Sequence, residues 1–218
     1  MADDVRSRVG GYRVGVQERG QQKYQVRFGW GVSGAARVAA DAHLLVWVDV
    51  LPAAGGHDDG HPADHRDVPL GQVPDGPEVV LGHLGNAAAV AGRVARLQAE
   101  RGDRCVVAVV AAGHVDGPLG GNAAAEAGEA PDVQAVPEFA VEDLLGAGAV
   151  VDALVESGID HTSPEAAAAC AAWTGLRRAA KHLVTASESA AVLGPERVHA
   201  ALAVGTDLVT LRPSTGRA

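Results

Sequence analysis

Three carboxylates are the most direct source of chemistry in this sequence. Glu142 and Asp143 are adjacent in the run Ala140-Val141-Glu142-Asp143-Leu144-Leu145-Gly146-Ala147-Gly148, and Asp49 stands near the end of the apolar run His43–Leu51. Oxygen ligands of this kind suit Mg2+, which keeps several waters and needs one or two carboxylates plus a substrate phosphate. In an ordinary α/β topology, the end of a strand at Asp49 and a helix start at Glu142-Asp143 fall on one rim. Ligands of open sheets bind at that rim. The acidic pair also suits a plain first helical turn, where it complements the macrodipole, and spacing alone does not bring it to Asp49. Gly146 and Gly148 add a second signal. A glycine inside a helix costs about 1 kcal/mol relative to alanine, so two this close imply that something approaches the backbone.

Other constellations carry less. His57, Asp58, Asp59, His61, Asp64, His65 and Asp67 are metal-capable, but their spacing matches no defined site and reads as a solvated loop. Gly85-Asn86 opens a helix. A glycine there lets backbone N–H groups reach a phosphate, while Asn86 also serves as an ordinary N-cap. Gly113-His114 turns the chain sharply after an apolar run. Arg93, Arg177, Arg178 and Lys181 can clamp an anion, although arginines on helices usually face solvent. There is no G-x-S-x-G elbow and no usable Ser/His/Asp order. Cys105 and Cys170 lack metal-ligand spacing and read as buried small hydrophobes.

The elements that must position these residues follow from periodicity and punctuation. Residues 1–22 are polar and Gly/Gln-rich and read as a loose arm; 23–218 read as a single domain. Lys23–Phe28 alternates like an edge strand. His43–Leu51 and Cys105–Ala112 are apolar throughout, which marks strands buried on both faces. Glu78–Leu81 is a shorter strand, and Asn86–Glu100 is a helix. Residues 52–77 are crowded with Pro, Gly, Asp and His and read as irregular, as does Gly117–Pro137. Glu142–Glu156 is a helix that Gly158 stops. Ser163-Pro164 starts the next, with Ser as N-cap and Pro at the first position. Helical segments follow over 176–187 and 193–204, then a last strand over 208–211. This alternation predicts a three-layer α/β/α domain with a largely parallel or mixed sheet.

Composition narrows the partners. Aromatics make up 3% of the chain, so the core is built from Ala and Val with close backbone packing. The net charge of −9 works against nucleic acid and anionic membranes. It also opposes an anionic substrate unless a cation reverses the field. The N-terminus does not read as a signal peptide, and no run of apolar residues is long enough to span a membrane, so a cytoplasmic location is expected. The Ala-rich helices are suited to packing a homodimer.

Four stretches together resemble the 2-phosphosulfolactate phosphatase family, especially its actinobacterial members. They are Val26-Arg27-Phe28-Gly29-Trp30-Gly31, Val46–Leu51, His83–Ala91, and Val107–Gly113 followed by Val141–Ala149. The Glu142-Asp143-Leu144-Leu145-Gly146-Ala147-Gly148 motif is the most specific. The resemblance implies Mg2+-dependent hydrolysis of a small phosphate ester, 2-phosphosulfolactate giving sulfolactate and phosphate. By position it implies Asp49, Glu142 and Asp143 as catalytic and metal-organising residues, with Gly85, Asn86 and Gly113 around the substrate anion. The chain is a shortened, divergent version of that pattern. Pro52-Ala53-Ala54-Gly55-Gly56 stands where the family has Arg or Ser and a Ser/Thr-rich helix start. Gly85 stands where it has Arg, and nothing between Leu51 and Glu78 matches its P-N-G-S loop. The alternative these departures imply is an inactive relative that binds a small anion or a protein.

Overall fold

The structure, a computed structural model, describes residues 20–52, 68–114 and 137–216. Most of the predicted N-terminal arm, the His57–Asp67 cluster and most of the irregular stretch before Pro137 lie outside the described residues. The described elements run β1 (Val26–Trp30), α1 (Gly31–Val38), β2 (Leu44–Val48), β3 (Glu78–Gly82), α2 (Ala87–Arg101) and β4 (Val107–Ala111). They continue through α3 (Val141–Glu156), α4 (Pro164–Leu176), α5 (Ala180–Thr185), α6 (Glu188–Leu193), α7 (Pro195–Leu202) and β5 (Val209–Arg212). The sheet order is β1-β4-β2-β3-β5. The first four strands are parallel, and β5 pairs antiparallel with β3. The fold is α/β, as the alternation of elements predicts.

Both faces of the central strands are covered, which is why their sequences are apolar without alternation. Val46 lies in register with Val80 and Val109. With Leu44, Val48 and Val107 they face Val90 and Val94 of α2 and Val150, Val151 and Leu154 of α3. The alternate residues Leu45, Trp47, Val79, Leu81 and Val110 face Ala35 and Val38 of α1 on the other side. Val68 and Val73 complete that second cluster. The end of the predicted irregular stretch is therefore part of the core: two buried valines anchor it.

The end of the predicted loose arm is also held. The Gln21 side chain donates to the Phe28 carbonyl at 2.8 Å and accepts the Phe28 N–H at 3.0 Å, standing in for a neighbour along the edge strand β1. Arg27, 1% exposed, needs partners of its own. Its guanidinium donates to the carbonyls of Gln22, Tyr24 and Val38 and to both carboxylate oxygens of Asp41, which uses all five N–H groups. The Arg27 guanidinium holds the Asp41 carboxyl below its ordinary range.

The predicted helix boundaries shift where caps and turns act. Ser163 caps α4 by accepting the Ala166 N–H at 3.1 Å. The expected helix over 176–187 is a turn followed by the short α5. The last predicted helix starts at Pro195, behind Gly194 with φ of 87°. No helix among the described residues is long and apolar enough to cross a membrane.

The second glycine of the α3 motif lies against α4. A Cβ on Gly148 would sit 2.2 Å from the Ala169 carbonyl oxygen and 2.7 Å from Trp173 Cβ. Gly175, in the last turn of α4, has open space around it. Gly148→Ala should therefore lower unfolding free energy by about 1–3 kcal/mol in urea titrations. Gly175→Ala should raise it by up to about 1 kcal/mol.

Candidate functional site

The rim at the carboxyl ends of β2, β3 and β4 gathers the residues singled out by sequence. Asp49 directly follows β2, His83 follows β3, and Gly113 lies just beyond β4. The N-terminus of α3 is drawn over these ends because Gly146 has no side chain. A Cβ there would lie 2.8 Å from Val48 Cγ1 and 2.8 Å from Val50 Cγ2. Gly113, with φ of 74°, turns the chain against Pro137 and Glu138, where a Cβ would meet the Glu138 carbonyl oxygen at 2.7 Å.

Asp143 is the joint of this rim. Its Oδ1 accepts the Val50 N–H at 2.9 Å and its Oδ2 accepts the Gly113 N–H at 2.9 Å. Because β2 and β4 are neighbours, one carboxylate ties their two exits to the first turn of α3. Asp143 is 3% exposed. Burial pushes its carboxyl well above the usual range, the nearby Asp49 charge adds to this, and Glu142 contributes further; the two backbone donors pull the other way. Asp49 and Glu142 thus each act on the Asp143 carboxyl.

Glu142 is 2% exposed, and its Oε2 has no hydrogen-bond partner. An ionised carboxylate out of water costs several kcal/mol unless something compensates it. Asp143 has its two amides. Glu142 has the positive end of the α3 dipole, where the N-cap position is Ala140 and supplies no side-chain cap.

The roles expected of these residues divide accordingly. Both Asp143 oxygens face amides, which makes it a brace. Glu142 Oε2 has no such amide. Among the described residues no group of three or more His, Cys, Asp and Glu side chains is arranged to hold a metal ion. Two carboxylates are enough for an ion that keeps most of its waters.

The residues expected around a phosphate are turned inward. Asn86, fully buried, occupies the cap position of α2 without a side-chain capping bond. Its Oδ1 instead accepts the His83 N–H at 2.9 Å, and its Nδ2 donates to the carbonyls of Leu81 at 3.0 Å and Asp207 at 3.4 Å. Gly85 donates its N–H to His83 Nδ1 at 3.1 Å. Gly113 spends its N–H on Asp143. Arg93 pairs with Glu78 at 2.7 Å, at the start of β3 and the opposite end of the sheet. Arg177 lies 4.0 Å from Asp152. Burial pushes the Cys105 thiol up to about 11, in keeping with its reading as a small core residue.

His83 is the rim residue that sequence reasoning passed over. The Gly85 N–H on Nδ1 places the imidazole proton on Nε2. Its signal was available: a histidine immediately after a buried strand, one residue past the end of β3. No protein-family model matches the chain, and no curated protein matches it significantly. The functional reading therefore rests on the rim's own chemistry.

The two acidic neighbours should respond oppositely to neutral isosteres in metal-free buffer. Asp143→Asn sets an amide NH2 against one of two backbone donors and should lower unfolding free energy by about 1–3 kcal/mol. Glu142→Gln removes a buried charge and should leave the protein as stable as the wild type, or more so. Thermal and urea unfolding in EDTA read both effects.

Proposed function

We propose that the chain is a Mg2+-dependent phosphatase of small phosphate esters, with chemistry similar to that of the 2-phosphosulfolactate phosphatase family. One observation carries this reading: a buried Glu142 whose Oε2 has no partner, next to an Asp143 that feels both Glu142 and Asp49, at the start of a helix and the carboxyl ends of parallel strands. Asp49 and Glu142 would hold the cation. When bound, Mg2+ supplies charge neutralisation and polarisation of the phosphoryl oxygens. The chain's own groups do the rest. Asp143 fixes the spacing of the β2 and β4 exits, and Asp49 directly follows β2. The first-turn N–H groups of α3 favour an anion by their orientation. Burial around Glu142 keeps water from screening the site.

The substrate of this reading is a small anionic ester, which a chain of net charge −9 attracts only with a cation in place. A cytoplasmic setting and a homodimer packed through Ala-rich helices belong to the same proposal. A second reading, an inactive relative that binds a small anion or a protein, is favoured by the inward-turned amides of Gly85, Asn86 and Gly113.

Phosphate release from 2-phosphosulfolactate and a panel of small phosphate esters, with Mg2+ present, separates the two. Loss of an outer-shell metal partner costs 10–100-fold in general. Glu142→Ala and Asp49→Asn, which remove direct donors, should each lower kcat/KM by at least roughly 100-fold. Release that survives both substitutions contradicts the site. Release from no ester supports the binding reading.

A further inference from the structure

The rim carries a second built feature, an aromatic row. The chain has two phenylalanines and three tryptophans, and both phenylalanines meet Trp30 in this row. Phe28 packs edge-on against Trp30, with centroids 5.6 Å apart and planes at 83°. Trp30 in turn lies 5.6 Å from Phe139 at 47°. Phe28 is buried, whereas Phe139 is 65% exposed. Trp30 ends β1, the neighbour of β4, and its Cε3 comes within 3.4 Å of where a Gly113 Cβ would be. The row therefore adjoins the turn whose amide holds Asp143, and Phe139 precedes Glu142 by three residues.

The described backbone on both sides of Phe139 is held. Glu138 and His114 exchange both backbone hydrogen bonds, at 3.1 and 2.7 Å. Pro137 is wedged between Gly31 and Gly113, where a Cβ on either would come within 3.0 Å of its ring. Ala140, on the other side, is buried. The paired backbone thus holds Phe139 three residues before Glu142, with its ring largely exposed and against Trp30. Ligand sites combine apolar walls of this kind with a few polar groups.

We propose that Trp30 and Phe139 form the specificity wall of this site and take a flat, aromatic part of the phosphate ester. This rests on the phosphate-ester reading above and moves its substrate class from small aliphatic acids toward aryl-bearing esters.

Calorimetric titration with phenylphosphonate and methylphosphonate in Mg2+ tests it, since the two share a dianionic head and differ in the ring. Wild type should prefer phenylphosphonate by roughly tenfold, the scale of one aromatic contact. Phe139→Ala should bring that ratio close to one, and Phe139→Trp should restore it. Equal affinities in wild type, or a preference that survives Phe139→Ala, would overturn the aromatic wall and leave the phosphate reading standing. Binding of neither phosphonate would overturn both.

Discussion

Asp143 accepts one amide from the exit of β2 and one from the exit of β4, and the geometry of the rim follows from that pair of bonds. A carboxylate can reach both amides only if α3 starts directly above the two strands. Gly146 permits that approach at Val48 and Val50. Gly113 permits the turn that aims its N–H back at the carboxylate. Gly82, where a Cβ would lie 2.7 Å from Val46 Cγ1 and 3.6 Å from Val150 Cγ2, clears space between the sheet and α3. The chain's small-residue core is thus tied to its rim: larger side chains at these points would lift α3 and part the bonds.

The brace has an electrostatic consequence. Fixing Asp143 at the start of α3 also places Glu142 below the surface, and Asp143 itself feels the charges of Asp49 and Glu142. Asp143 is satisfied by amides. Glu142 is left with an oxygen that nothing in the described chain addresses. Buried carboxylates without partners are costly and cluster at sites with work to do. The proposed cation would answer that unpaired oxygen.

Much of this was legible in the sequence, for local reasons. The runs around Val46 and Val109 are apolar at every position because helices cover both faces, and that pattern needs no partner to be read. The glycines at 146 and 148 were legible as points of close approach because a helix tolerates them poorly otherwise. What sequence did not reveal were long-range partners. Asn86 looks like a helix cap, yet its amide is spent on Leu81 and Asp207, far apart in the chain. Arg93 looks available to an anion, but Glu78 at the start of the preceding strand claims it. Val68 and Val73 sit in a stretch whose composition reads as irregular; their burial depends on α1 and the sheet. His83 went unremarked because its role depends on Gly85 folding back onto Nδ1.

The central claim is that the rim around Glu142 is completed by a cation. Unfolding free energy measured by urea titration across a Mg2+ series tests it most directly, in wild type beside Glu142→Gln. A cation bound to the folded state alone stabilises by about 2.7 kcal/mol at a hundred times its Kd. The wild type should gain stability in that manner, and Glu142→Gln should lose most of the gain. Equal gains in both proteins, or no dependence on Mg2+ in either, would contradict the cation site.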